Sequence, residues 1–187
     1  MEKKEFAIIC IVALLLMGAS YEIDNQINSR VQLNRNAALD IFFSIITNVF
    51  LVGAIFVLAP LAFIYYKKRK IEVSYFLSLA FSLSINLVIK LMTHRGRPNG
   101  IIEYSFLDII DYSFPSSHTM IAFAMLPVNF RNFPRQKYYF LAYAILVGAS
   151  RIYLGVHYLS DVVSGAFFGL VIGYVIMLAS KKKKNGK

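Results

Sequence analysis

Residues 41–66 contain no charged side chain. About 20 apolar residues of helix are needed to cross the hydrocarbon of a bilayer, so this stretch is long enough to span one. Five further apolar runs lie at 6–19, 73–89, 115–130, 138–156 (interrupted by Arg151) and 162–179. Charged residues are 16% of the 187 and apolar residues 58%, whereas a soluble domain carries about a quarter charged. Too little polar surface is left to cover such a core in water, which excludes a soluble globular enzyme. The pattern predicts an all-α integral membrane bundle of six helices forming one domain over residues 1–187. The first run has Lys3 and Lys4 before it and Gly18, Ala19 and Ser20 after it, the form of a signal peptide. We read it as a retained helix.

The formal charge is +10. In a soluble chain this would suggest nucleic acid, but here the cations cluster at the ends of apolar runs, where the membrane surface is the partner and nucleic acid is not. With the N-terminus inside, the cytoplasmic segments hold Lys3, Lys4, Lys67, Lys68, Arg69, Lys70, Arg131, Arg135, Lys137 and the Lys-rich C-terminus. The opposite side holds Arg30, Arg35, Lys90, Arg95, Arg97 and Arg151, together with most of the acids. The bias places both termini in the cytoplasm. Cys10 is the only cysteine, so no intramolecular disulfide forms.

Ionisable groups at the ends of spanning helices are costly unless they pair or face water, and so mark candidate sites. On the outer side they form three groups. Lys90 to Arg97 and Pro98 closes the third run; Pro115, Ser116, Ser117 and His118 open the fourth; Ser150, Arg151, His157 and Asp161 join the fifth to the sixth. Lys90, Arg97 and Arg151 together suit a phosphoryl group, which offers two charges and several acceptor oxygens. The Pro115–Ser117 opening adds hydroxyls and backbone N–H groups at a helix N-terminus, where anions bind. His157 and Asp161 stand four apart, so the carboxylate can hold one ring nitrogen and leave the other as a nucleophile. His118 supplies a second imidazole to protonate a leaving oxygen. Taken singly, each cation reads as an interfacial anchor and each histidine as a packing residue; their joint occurrence reverses that reading.

These groups resemble the signature of the phosphatidic acid phosphatase type 2 superfamily: K-x6-R-P, then P-S-G-H, then S-R-x5-H-x3-D. All positions match except that Ser117 stands in place of glycine. The resemblance implies a membrane lipid phosphatase of six helices with its site at the extracytoplasmic interface, periplasmic or extracellular, in the plasma membrane. It implies His157 as nucleophile, Asp161 as its orienting partner, His118 as general acid, and Lys90, Arg97, Ser116, Ser117 and Arg151 as the phosphate cradle. It also implies no metal and no cofactor. Family substrates are phosphatidate, phosphatidylglycerol phosphate, undecaprenyl pyrophosphate or lipid A phosphate, and the residues do not choose among them. If glycine at position 117 takes positive φ, serine costs about 1 kcal/mol there.

Two other functions fit parts of the pattern: a non-catalytic lipid-phosphate binder or transporter, and a metal hydrolase using His118, His157 and Asp161 as ligands. A monomer is the expected state. Because Arg151 and His157 would point about 120° apart on one helix, a loop near Gly155 is expected to turn both toward one phosphate. Thr93, His94 and Arg95 are expected at the interface, Arg30 and Arg35 in a solvated loop, and Tyr21, Tyr104, Tyr112, Tyr153 and Tyr158 in an aromatic belt. Residues 101–114 are amphipathic and read equally as an interfacial lid or a solvated loop. Gly165, Gly169 and Gly173 predict a close helix contact inside the bundle.

Overall fold

The computed structural model describes residues 3–67, 73–98 and 112–185. They form seven helices in chain order: α1 (Lys3–Leu33), α2 (Ala37–Ile46), α3 (Val49–Tyr66, with a π-helical turn at Ala54–Leu58), α4 (Val73–Thr93), α5 (Ser117–Asn132), α6 (Lys137–Tyr153) and α7 (Leu159–Asn185). No strand occurs among the described residues. The helices Val49–Tyr66, Val73–Thr93 and Leu159–Ser180 are long and apolar enough to cross a membrane. Lys68, Arg69, Lys70 and most of the 101–114 segment, with Glu103, Tyr104, Asp108 and Asp111, lie outside the described residues.

Helix α5 is the axis of the bundle. Its Met120, Ala122, Ala124, Met125, Leu126 and Val128 are fully buried, and α4, α6 and α7 pack around it, α7 most extensively. The α5–α7 contact is set by the expected glycines. A Cβ added at Gly165, Gly169 or Gly173 would lie 2.8, 2.3 or 2.1 Å from the carbonyl oxygens of Ser116, Met120 and Ala124. Backbone rests on backbone, and no side chain fits between.

Helix α4 is inverted relative to a soluble amphipathic helix. Ser74, Ser78, Ser82, Asn86 and Lys90, in steps of four, are buried, while Phe76, Phe81, Leu83 and Val88 are exposed. Residues four apart share a helix face, so the polar face looks inward and the apolar face outward, as a lipid surrounding requires. Inside, Tyr75 Oη donates to Asn129 Oδ1 at 2.9 Å, and Asn129 Nδ2 donates to Phe56 O at 3.1 Å. The chain links α4, α5 and the π turn of α3.

Two boundaries differ from the sequence reading. The run 41–66 is not one helix: Asn48 accepts from Phe50 N and Leu51 N through its side chain, caps α3, and so separates it from the short α2. The first helix does not stop near Ala19 but continues to Leu33. Arg30 lies in its last turn. Arg35 is not in a solvated loop either: its Nε donates to Asp40 Oδ1 at 2.9 Å and its Nη1 to Leu154 O at 3.3 Å. Helix α1 packs on α7 and, less extensively, on α6.

Gly169→Ala should cost about 2–3 kcal/mol through forced helix separation, a fall of about 4–12 °C in the detergent unfolding midpoint. Gly18→Ala, where nothing lies within 4 Å of the added Cβ, should leave the midpoint unchanged or slightly raised.

Candidate active site

The last turn of α6 carries Arg151, and the turn between α6 and α7 carries His157. Helix α6 stops at Tyr153, and Gly155 takes φ 70°, a left-handed conformation open to glycine without steric cost. The chain then folds back, so that Val156 N and His157 N both donate to Arg151 O at 3.2 Å. This is the loop expected at Gly155. The Arg151 side chain is 1% exposed, and its Nη1 donates to Thr47 Oγ1 at 2.9 Å. The break between α2 and α3 thus supplies a partner for Arg151.

Asp161, in the first turn of α7, has no exposed surface. Its Oδ2 accepts from Tyr158 N at 2.8 Å and from the Ser113 hydroxyl. The same oxygen lies 3.4 Å from His157 Nδ1, a contact longer than an ordinary hydrogen bond. The carboxylate therefore faces one ring nitrogen of His157, and Nε2 occupies the opposite edge of the imidazole. His157 is itself buried.

The other two groups converge on this turn. Arg97 Nη1 donates to Val156 O at 2.9 Å, and Ser116 N donates to Asp161 O at 3.1 Å. Lys90, buried at the end of α4, donates to Tyr112 O through Nζ. Ser116 Oγ pairs with Thr119 Oγ1 at 3.0 Å. His118 is the second residue of α5 and is buried. Ser117 opens that helix; His94 is the only non-glycine with positive φ among the described residues. Serine at 117 therefore carries none of the left-handed strain that positive φ would impose. Its hydroxyl donates to Asn86 Oδ1 at 2.6 Å, and Asn86 Nδ2 donates to Pro115 O at 3.1 Å. Among the described residues, no three His, Cys, Asp or Glu side chains are grouped to hold a metal ion.

Arg95 corrects the sequence reading. It is not an interfacial anchor: Nη1 donates to Asp161 Oδ1 and to Ser160 Oγ, and Nη2 to Asp24 Oδ2, each at 2.7 Å. Its guanidinium lies 4.2 Å from the centroid of the Tyr158 ring and 5.1 Å from that of Tyr21, so these tyrosines are more than a belt. Burial opposes the Arg95 charge, but Asp161 and Asp24 outweigh it and raise its pKa above the ordinary value. Asp24, Asn86, Ser113 and Thr47 also reach these residues and were not singled out from sequence. Only Asn86 carried a legible signal, one turn before Lys90 on the buried polar stripe.

Fold and site define a helical membrane protein with a buried His–Asp pair and several basic residues gathered at one end of its bundle. Residues 71–185 match the sequence model of the PAP2 superfamily, and the chain belongs to that family. A lipid A 1-phosphatase of Rhizobium johnstonii is 32% identical over 101 residues, 50% of this chain and 41% of that protein. The chain thus spans about two-fifths of that relative's length. Phosphatidylglycerophosphatase B of Bacillus subtilis is 28% identical over 194 residues, covering 93% of this chain and 91% of its own. The crystal structure of a transmembrane PAP2 type phosphatidylglycerolphosphate phosphatase from Bacillus subtilis superposes with a TM-score of 0.70 at 23% identity, over 92% of this chain and 96% of that one. That likeness supports the fold.

Asn86→Ala should free the Pro115–Ser117 opening and strand its buried partners, costing about 1–3 kcal/mol. Ser117→Gly, which keeps Asn86 bonded to Pro115, should cost less. Thermal unfolding of the two variants in detergent checks the order.

Proposed function

We propose that the chain is an integral membrane lipid phosphatase that hydrolyses a lipid phosphomonoester or pyrophosphate through a phosphohistidine. The observation that carries this reading is the convergence of all three polar groups on the His157–Asp161 turn, through Arg97, Arg95 and Ser116. The site faces the periplasm or the exterior of the plasma membrane, and both termini lie in the cytoplasm, as the distribution of cations supports. The whole chain acts as one domain.

In the proposed reaction His157 Nε2 attacks phosphorus, the P–O bond to the lipid breaks, and His118 gives its proton to the departing oxygen. Asp161 faces Nδ1 and stabilises the imidazolium that the new N–P bond creates. Water then attacks the phosphohistidine, His118 takes its proton, and inorganic phosphate leaves. Lys90, Arg97 and Arg151, with the backbone N–H of Ser117 at the helix N-terminus, bind the charge that shifts onto the phosphoryl oxygens. The Ser116 and Ser117 hydroxyls are engaged with Thr119 and Asn86, and Ser116 N with Asp161 O, so of the two serines Ser117 gives the cradle its backbone N–H and Ser116 ties that opening to Asp161.

A lipid is the fitting substrate because the site tops a bundle whose outer faces are apolar. Between α4 and α7 lies an apolar groove of ≈ 580 Å³, lined by Leu77, Phe81, Ile85, Val171, Ile172 and Val175. It begins about 8 Å along the helix from Lys90, at 1.5 Å per residue, which suits an acyl or polyprenyl tail. The names of the two relatives, a lipid A 1-phosphatase and a phosphatidylglycerophosphatase, support the lipid phosphate class.

The test is phosphate release from phosphatidate, phosphatidylglycerol phosphate, undecaprenyl pyrophosphate and lipid A. The intact protein should release phosphate from at least one of them, and His157→Ala should lower that rate by at least about 10³-fold. Full activity in the variant would sink the mechanism. Binding of lipid phosphate without release by the intact protein would establish a binder or transporter instead.

A further inference from the structure

The residues that match the family begin at 71, yet a carboxylate from the first helix reaches into the site. Asp24 is 3% exposed and sits at the N-terminus of α7. Its Oδ1 accepts from Ser160 N at 2.9 Å, and its Oδ2 accepts from Ser160 Oγ at 2.5 Å and from Arg95 Nη2 at 2.7 Å. A carboxylate there meets both free helix N–H groups and the positive end of the helix dipole. Its more specific effect is on Arg95. A guanidinium beside a carboxylate tends to bind it through two parallel bonds. Here Arg95 gives Asp161 one nitrogen only, at Oδ1, because Asp24 holds the other. Oδ2 of Asp161 is thereby left to Tyr158 N, Ser113 and the edge of His157.

We infer that Asp24 is a positioning residue for the reaction: by holding one arm of Arg95 it keeps the Asp161 carboxylate turned toward His157 Nδ1. The Tyr21 and Tyr158 rings flank the guanidinium and restrict its rotation. The polar end of α1 supports the same turn from outside. Gln32 Nε2 donates to Tyr153 O at 3.4 Å, Arg35 Nη1 to Leu154 O at 3.3 Å, and the Tyr153 hydroxyl accepts from Asn36 N at 3.0 Å. Helix α1 is therefore a strut whose Asp24 carboxylate sets the orientation of another, that of Asp161. Without Asp24, Arg95 can swing onto both oxygens of Asp161 and draw Oδ2 away from the imidazole.

The inference rests on the phosphohistidine reading, and one set of assays separates the two. Steady-state hydrolysis of the lipid phosphate that the intact protein cleaves fastest is measured for the intact protein, His157→Ala, Asp24→Asn, Arg95→Lys and the double variant. Asp24→Asn should lower kcat by about 10- to 100-fold, the cost of misplacing a catalytic group by about 1 Å, with KM changed less than threefold because Lys90, Arg97 and Arg151 are untouched. The double variant should lose less than the product of the single losses, since both changes act on one carboxylate. An Asp24→Asn kcat within twofold of the intact protein overturns the inference, and so does a loss shared equally by kcat and KM. If Asp24→Asn does not fold, Arg95→Lys reads the same split, with the same results for and against. No release by the intact protein from any lipid phosphate sinks the phosphatase reading and this inference with it. An inactive His157→Ala beside a fully active Asp24→Asn removes the inference alone.

Discussion

A carboxylate with no exposed surface joins the parts of the site. Asp161 takes Arg95 at one oxygen, takes Tyr158 N and Ser113 at the other, and presents that second oxygen to His157. Its backbone carbonyl accepts Ser116 N. The end of α4, the start of α5 and the α6–α7 turn are thus tied to one residue. A buried charge this well surrounded is costly to create and costlier to break: removing one partner of such a pair typically costs about 3–5 kcal/mol. The fold must supply the partners in place, and the remaining architecture is the means of doing so.

The supply depends on the bilayer as solvent. In lipid, apolar burial does not drive helices together, so close backbone packing and polar contacts inside the bundle take that role. Gly165, Gly169 and Gly173 bring α7 onto α5 until carbonyl oxygens occupy the space of absent side chains. The α4 stripe from Ser74 to Lys90 turns hydroxyls and an amide inward. The first of these contacts, Gly165 against Ser116 O, lies beside the link from Ser116 to Asp161, so packing and site geometry meet at one point.

Much of this was legible in the chain. Three of the six apolar runs hold the helices long and apolar enough to cross a membrane, the glycine spacing announced a close helix contact inside the bundle, and Gly155 between Arg151 and His157 required a turn. What escaped were partners that only the tertiary fold brings near. Asp24 precedes Asp161 by 137 positions and lies beyond the first apolar run, where nothing distinguishes it from a solvated acid. Arg95 sits in a motif gap and reads as an anchor until its two carboxylates are seen. The α2–α3 break was hidden because Thr47 and Asn48 lie within a long apolar run. Asn86 and the serines before it were readable by their four-residue step, a pattern that hydropathy alone averages away.

On the proposed mechanism His157 carries the phosphoryl group between two halves of a hydrolysis. Its most direct test is to stop turnover of a radiolabelled lipid phosphate with alkaline denaturant, under which phosphohistidine survives, and to map the label by peptide. Label is expected on His157, absent from His157→Ala and discharged as inorganic phosphate when turnover is allowed to finish. Label on another residue, or phosphate release with no labelled protein at any time of quench, would contradict it.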